Sequence, residues 1–476
     1  NNIAIGLNAI GSANLQYTGS HYSTSASGNV GIGSNTLDAI TTASENVAIG
    51  TDALTDATEA YLNVAIGTSS LENLTNGDMN VGIGYGTLES ITTQSHNLAM
   101  GSYSLDALSS GDYNLGIGNY SLSSQTSASS NIAIGWSAMW KNKTGASNIA
   151  IGKGALDAAV TQSNNIAIGV NALGGTNSGG TNDGGEYNVA IGNNTLTATL
   201  GGGDKQGQYN VAVGDNALKL NTTGSYNTAT GAWALNANTT GKSNTGIGLS
   251  TLIINEDGNY NTGVGSEALY KNVSGNGNTA VGETALYEST GNYNTAIGAE
   301  ALEKNTGTSN TAIGTEAGEA TTTGDNNVFV GSDAGDSNTT GEKNIIIGSG
   351  SDVGSTDGLS PITNRIVIGY GALGQGDNTA VIGNTDITAW LPPDDDGVDL
   401  GSSSLEFDDL HVDGTAFLDA IGFGTVVMEL PTADGSADQV LKTDGSGNLD
   451  WVTAGGASNL TGLSDVLIEA TSSLYI

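Results

Sequence analysis

The apolar positions of this chain recur at a fixed interval. A stretch of the form Asn-x-Ala/Gly-Ile/Val-Gly opens at Asn29, Asn46, Asn63, Asn80, Asn97, Asn114, Asn131, Asn148 and Asn165, each 17 residues after the last. It resumes at Asn188 and runs through Asn210, Asn227, Asn244, Asn261 and Asn278. Two intervals shorten to 16 residues, reaching Asn294 and Asn310, and 17 returns through Asn327 to Asn344. Weaker copies stand at Asn2, Asn364 and Asn378. Four residues beyond the glycine comes a second apolar mark, so that the frame reads Asn46, Gly50, Leu54; Asn63, Gly67, Leu71; Asn80, Gly84, Leu88; Asn97, Gly101, Leu105. The mark is Met139 once and leucine again from Leu156 to Leu302 in each regular unit. The polar remainder, often Asn-Thr-Thr-Gly, is turn chemistry.

Such a register predicts a stacked architecture. The opening stretch is too short and too β-branched for a helix of its own. A unit of this length fits one coil of a parallel β-roll or solenoid, with two turns and two short strands, the second replaceable by a single helical turn. Coils stacked about 4.8 Å apart would make roughly 20 of them into a rod on the order of 100 Å. On this reading Ile or Val at the fourth position and Leu at the ninth form apolar columns, each buried side chain stabilising by about 1.5–3 kcal/mol. Alanine at the third position allows close approach of sheets or chains. Glycine at the fifth makes a tight corner at positive φ. Asparagine hydrogen-bonds its copy in the next coil or caps the preceding turn, or else merely tolerates a left-handed turn; the residues leave these readings open. One thin coil buries little alone, so threefold association around a common axis is expected to cover the rest.

Stretches such as Asn294-Thr295-Ala296-Ile297-Gly298, followed by Ala301-Leu302 and Asn305-Thr306-Gly307, resemble the head repeats of trimeric autotransporter adhesins, and still more those of bacteriophage tail fibres. The resemblance covers about residues 1–390. Beyond it, Asp399-Leu400-Gly401-Ser402-Ser403 with Phe407, Leu410, Val412, Asp413 and Gly414 is similar to an element common in phage tail fibres. So is Pro431-Thr432-Ala433-Asp434-Gly435 with Gln439 to Gly445 and Leu449-Asp450-Trp451. The resemblance implies a homotrimeric fibre carried on the virion, a rod that helps attach to a host surface receptor or glycan. A bacterial cell-surface adhesin or extracellular filament is the alternative from the same roll. A polysaccharide-degrading tailspike is a third, which would need paired carboxylates in a groove.

The expected organisation is a shaft over 1–390, with insertions near 174–185, 201–207 and 349–362, a connector over 391–430, and a C-terminal β-hairpin module over 431–476. The leucine column ends at Gly318 and Gly335, where a narrowing is expected, and Trp390-Leu391-Pro392-Pro393 closes the repeats because adjacent prolines cannot continue a ladder. The chain opens inside a repeat and closes without a polar segment, so we expect it to be cut from something longer.

Composition narrows the function classes. Glycine is 73 of 476 residues, aromatics are 5%, and 11 basic against 48 acidic residues give a net charge of −37. Phosphate neutralisation is out of reach, which argues against nucleic acid as a partner. Anionic membrane surfaces are equally poor partners. No cysteine is present, so disulfide scaffolds and thiolate metal sites are excluded. No apolar run approaches the ~20 residues of a membrane-spanning helix.

Candidate chemistry is sparse, and we expect no enzyme and no cofactor. His21, His96 and His411 are scattered, without partners at catalytic or ligand spacing. Asp394-Asp395-Asp396 offers clustered oxygens for a structural calcium, against the simpler reading of a solvated linker. Tyrosine precedes the frame asparagine at Tyr113, Tyr187, Tyr209, Tyr226, Tyr260 and Tyr293. Tyr187, Tyr209 and Tyr226, with Trp136 and Trp233, are candidate glycan contacts; the competing reading has each ring pack over the neighbouring coil. Trp140 carries the same ambiguity.

Overall fold

The computed structural model describes residues 2–11, 26–175, 185–198, 206–354 and 362–389, together with 411, 420–423, 426–429, 435–437, 439–443 and 449–453. The chain divides into two compact units, Asn1–Thr388 and Ala389–Ile476.

The first unit is a parallel β-solenoid. Each repeat contributes one three-residue strand, from β1 (Ile3–Ile5) through β10 (Ile166–Ile168), β11 (Val189–Ile191), β20 (Ile345–Ile347) and β21 (Ile366–Ile368) to β22 (Ala380–Ile382). Together they form a 22-stranded sheet in which each strand pairs in parallel with its copy in the next coil. The register is exact to the repeat position: Val47 opposite Val64, Ala48 opposite Ala65, Ile49 opposite Ile66. At about 4.8 Å per coil, 22 strands span about 100 Å.

Counting the frame asparagine as position one, the expected second strand is absent from the described coils. Positions six to eleven are a turn segment instead. Its residues at positions seven and nine sit at positive φ, as Asp52 (58°) and Leu54 (52°) do. Alternation of hand breaks the extended path, yet coil-to-coil bonding persists: Leu54 donates its N–H to the Ser70 carbonyl at 3.1 Å, and Ser69 donates to Thr51 at 3.0 Å. Leucine in this region costs about 1–2 kcal/mol. Complete burial of the side chain offsets it, since Leu37, Leu54, Leu71, Leu88 and Leu105 expose nothing.

The core differs from the expected one in a specific way. Strands show a partly buried, buried, partly buried-to-exposed pattern, so position three points inward and positions two and four point out. Ala48, Ala65, Ala99 and Ala133 are fully buried, whereas Ile66, Met100, Ile151 and Ile297 are exposed. The fourth-position column is therefore an outer surface. The reason is the thinness of the coil. A Cβ added to Gly82, a position-three residue, would lie 2.5 Å from Ser70 Oγ and 3.3 Å from Leu71 Cγ. From Gly31 to Ala312 the position is always Ala or Gly, and the small residues of position eight, such as Ala53 and Ser70, face the same space.

The narrowing expected at Gly318 and Gly335 does not occur as a loss of core. Phe329 takes a position-three site and is fully buried. A Cβ on Gly318 would meet the Phe329 ring at 2.6 Å, and one on Gly335 would meet it too. One large side chain on the strand replaces two leucines on the opposite wall. The insertions leave the sheet intact: β10 pairs with β11, and β20 with β21, in unbroken register. Residues 176–184, 199–205 and 355–361 of those insertions lie outside the described residues.

In the second unit, β23 (Ala420–Phe423) pairs antiparallel with β24 (Val426–Glu429), and β25 (Gln439–Thr443) with β26 (Leu449–Thr453). The Trp390–Pro393 stop, Asp394–Asp396, the 399–410 element and His21 lie outside the described residues.

Candidate functional surfaces

The frame asparagines are the interior scaffold on which every surface hangs. Asn63 donates its backbone N–H to Asn46 Oδ1 at 2.9 Å and its Nδ2 to the Gly77 carbonyl of its own coil at 2.9 Å. Asn80 repeats the contact to Asn63 Oδ1 at 2.8 Å. The ladder crosses both insertions, with Asn188 on Asn165 and Asn210 on Asn188 at 2.9 Å. The side chain thus does both jobs, stacking on its copy and fastening a turn. The left-handed residue is the one before it: Leu62, Met79, His96 and Tyr113 take φ between 57° and 62°.

The ladder ends on the only arginine. Arg365 donates its N–H to Asn344 Oδ1 at 3.0 Å and so occupies position one itself. Asn364 and Asn378, expected as frame residues, are off by one; both sit at positive φ in position 17. The Arg365 guanidinium is buried, bonding the Val353 carbonyl at 2.6 Å and Asp377 Oδ1 at 3.0 Å. Backbone donation from Thr363 and the guanidinium hold the Asp377 carboxyl below its ordinary range.

The position-17 tyrosines stack where adjacent coils both carry one. Tyr187 and Tyr209 lie 5.0 Å apart, Tyr209 and Tyr226 5.2 Å apart, each pair within 5° of parallel. His96 stacks on Tyr113 at 4.8 Å. The rings spend their faces on one another, leaving edges and the two ends of the stack to solvent. Among the described residues no aromatic ring stacks on Trp233.

A second aromatic column, not resolved from sequence, runs along positions six and seven. Tyr85 meets Tyr103 edge-on at 5.2 Å, and Tyr103 stacks on Tyr120 at 5.6 Å. Folding the sequence at 17 residues brings these tyrosines next to Trp136. The column ends in a cleft of about 300 Å³ lined by Tyr120, Trp136, Ser137, Trp140 and Asp157. Trp136 and Trp140 are 53% and 44% exposed. Lys153 Nζ lies 5.2 Å from the Trp136 ring centre, and Lys141 Nζ 5.8 Å from that of Trp140. Desolvation raises the Asp157 carboxyl above its ordinary range.

Among the described residues, Glu300, Glu303 and Glu319 bring carboxylate oxygens within 4.8 Å of one another. Lys304 already supplies a cation there, with Nζ 2.6 Å from Glu319. Among the described residues no helix is long and apolar enough to cross a membrane. No protein-family model matches the chain, and no curated protein is significantly similar to it.

Proposed function

We propose that the chain is the shaft of an adhesive fibre, a phage tail-fibre segment on the virion, acting as a homotrimer and without catalysis. Its mechanism is mechanical: stacked coils hold a receptor-contacting surface away from the particle. The outer face of the solenoid sheet carries this reading. Position four presents Ile, Val or Met on strand after strand, broken by Thr230, while position two is Val, Ile or Leu as far as Val211 and threonine from Thr228 to Thr311. Ile66, Met100, Ile151, Ile247, Ile297 and Ile313 remain exposed in the single chain. An exposed apolar column repeated over so many strands is the mark of an association surface. Copies of the same chain, which share its repeat spacing coil for coil, match it along its whole length. The net charge of −37 keeps assembled rods from bundling sideways.

Analytical ultracentrifugation tests the assembly. The expected result is a three-chain particle, reduced toward monomer by the paired substitution Ile66→Lys and Ile151→Lys. A folded monomer at micromolar concentration for the unsubstituted chain would overturn the reading.

A further inference from the structure

We infer that the cleft formed by Tyr120, Trp136, Ser137, Trp140 and Asp157 binds one ring of an uncharged saccharide. This deepens the attachment reading, on which it rests, by giving it a ligand class and a place. The cleft volume, about 300 Å³, is at the small end of ligand sites. Its walls are two tryptophan rings and a tyrosine, whose flat apolar faces suit the C–H face of a pyranose. Its polar lining groups are few, Ser137, Asp157 and the Tyr120 hydroxyl, as in a site that orients a small polar ligand. Asp157 accepts hydrogen bonds from ring hydroxyls. Lys141 and Lys153, at the two indoles, donate to ring and hydroxyl oxygens.

Charge selects among ligand classes. A cation, the other usual guest of an aromatic cage, meets two ammonium groups already placed over the indoles. A polyanion meets the field of a chain carrying −37 and a carboxylate in the cleft wall. An uncharged sugar meets neither penalty. The cleft also differs from the tyrosine stack of Tyr187, Tyr209 and Tyr226, whose ring faces are covered by each other. It lies at positions six, seven and ten, across the glycine corner from the apolar strand face assigned to chain association. Tyr85 and Tyr103 extend the aromatic surface along the coils next to Tyr120, so an oligosaccharide would meet more of it than a monosaccharide.

The experiment titrates the purified full chain with cellohexaose, maltohexaose, mannohexaose, chitohexaose and hexagalacturonate, read by tryptophan fluorescence and calorimetry. At least one neutral hexaose is expected to bind with a Kd below about 1 mM. Trp136→Ala and Trp140→Ala should each weaken it at least tenfold, and Asp157→Asn several-fold, at unchanged melting temperature. Tyr209→Ala should leave it unchanged. Absence of binding by every neutral hexaose, tightest binding by hexagalacturonate, or undiminished binding by both tryptophan variants would overturn the proposal. Sedimentation of the same samples separates the two readings: a trimer that binds no sugar loses only the cleft, and a monomer that binds sugar loses only the trimer.

Discussion

At the scale of single residues, the fold depends on backbone conformations that most side chains avoid. Gly67 has φ of 133°, and a Cβ there would collide with the carbonyl of Gly84 in the next coil. Both the dihedral and the stacking distance demand glycine, so Gly67→Ala is expected to destabilise by at least about 3 kcal/mol. Gly371 provides the contrast: its φ is 57°, and nothing lies within 4 Å of the added Cβ. Gly371→Asn should be near neutral, because Asn tolerates the left-handed region. Thermal melting of the two variants checks the pair. The glycine corner was legible in the sequence, since few other roles explain an invariant fifth position within a repeat. The left-handed leucines were not. Intrinsic preference argues against Leu at φ near 52°, and only the pull of the interior on Leu54 and Leu71 places them there.

At the scale of the coil, the interior changes character along the chain. Position 12 is apolar and buried early, at Ile40, Leu74, Ile91 and Leu108. Later it becomes asparagine, and a second ladder forms: Asn238 donates to Asn221 Oδ1 at 2.7 Å, Asn255 to Asn238 at 2.8 Å, and Asn272 to Asn255 at 2.9 Å. Asn221 and Asn238 open Asn-Thr-Thr-Gly, and Asn255 and Asn272 open the same four-residue stretch in the form Asn-x-x-Gly, a stretch that reads from sequence as turn chemistry only. The pattern misleads because the same side chain bonds a turn carbonyl too, as Asn238 does to Gly241 at 3.1 Å. The ladder stops at Ser289, leaving Asn272 Oδ1 and Ser289 Oγ buried without partners. Ser289→Asn should extend it and stabilise by about 0.5–1.5 kcal/mol, measured as a shift of the denaturant midpoint. The strand pattern misled differently. With three apolar residues in a row, periodicity alone does not say which faces in. The width of the coil decides it, admitting only Ala48, Gly82 and their like beside the leucine column, and Phe329, Ile346 and Val367 only after the buried leucines end at Leu302.

At the scale of the molecule, the carboxylates set the pH response. Burial, with minor help from Glu89, raises Asp106 to about 6, and its Oδ1 is buried without a partner. Asp157, Glu303 and Asp336 are raised mainly by burial, and Glu316 mainly by Asp333. A raised acid binds its proton more tightly in the folded chain. Its stabilising effect is complete below the unfolded value and is lost as pH climbs through the folded one. Melting temperature is therefore expected to rise from pH 7.5 to pH 5, with loss of net charge acting in the same direction. Asp377 acts oppositely, and its pairing with Arg365 is lost only in stronger acid. Asp106→Asn should stabilise at pH 7.5 by on the order of 1 kcal/mol after allowance for solvent screening, and should flatten the profile between pH 4 and 6.

The repeat period carried the solenoid architecture into the sequence in plain view, while the direction of its strand side chains was hidden. That direction decides what the rod can do, because it puts the Ile66 and Ile151 column outside. Cryo-electron microscopy of the assembled rod in cross-section measures this directly. The expected section has three coils around one axis, a rise of about 4.8 Å per coil, and the position-two and position-four side chains turned toward the axis. A section of one isolated coil, or one with those columns facing solvent, would contradict the account.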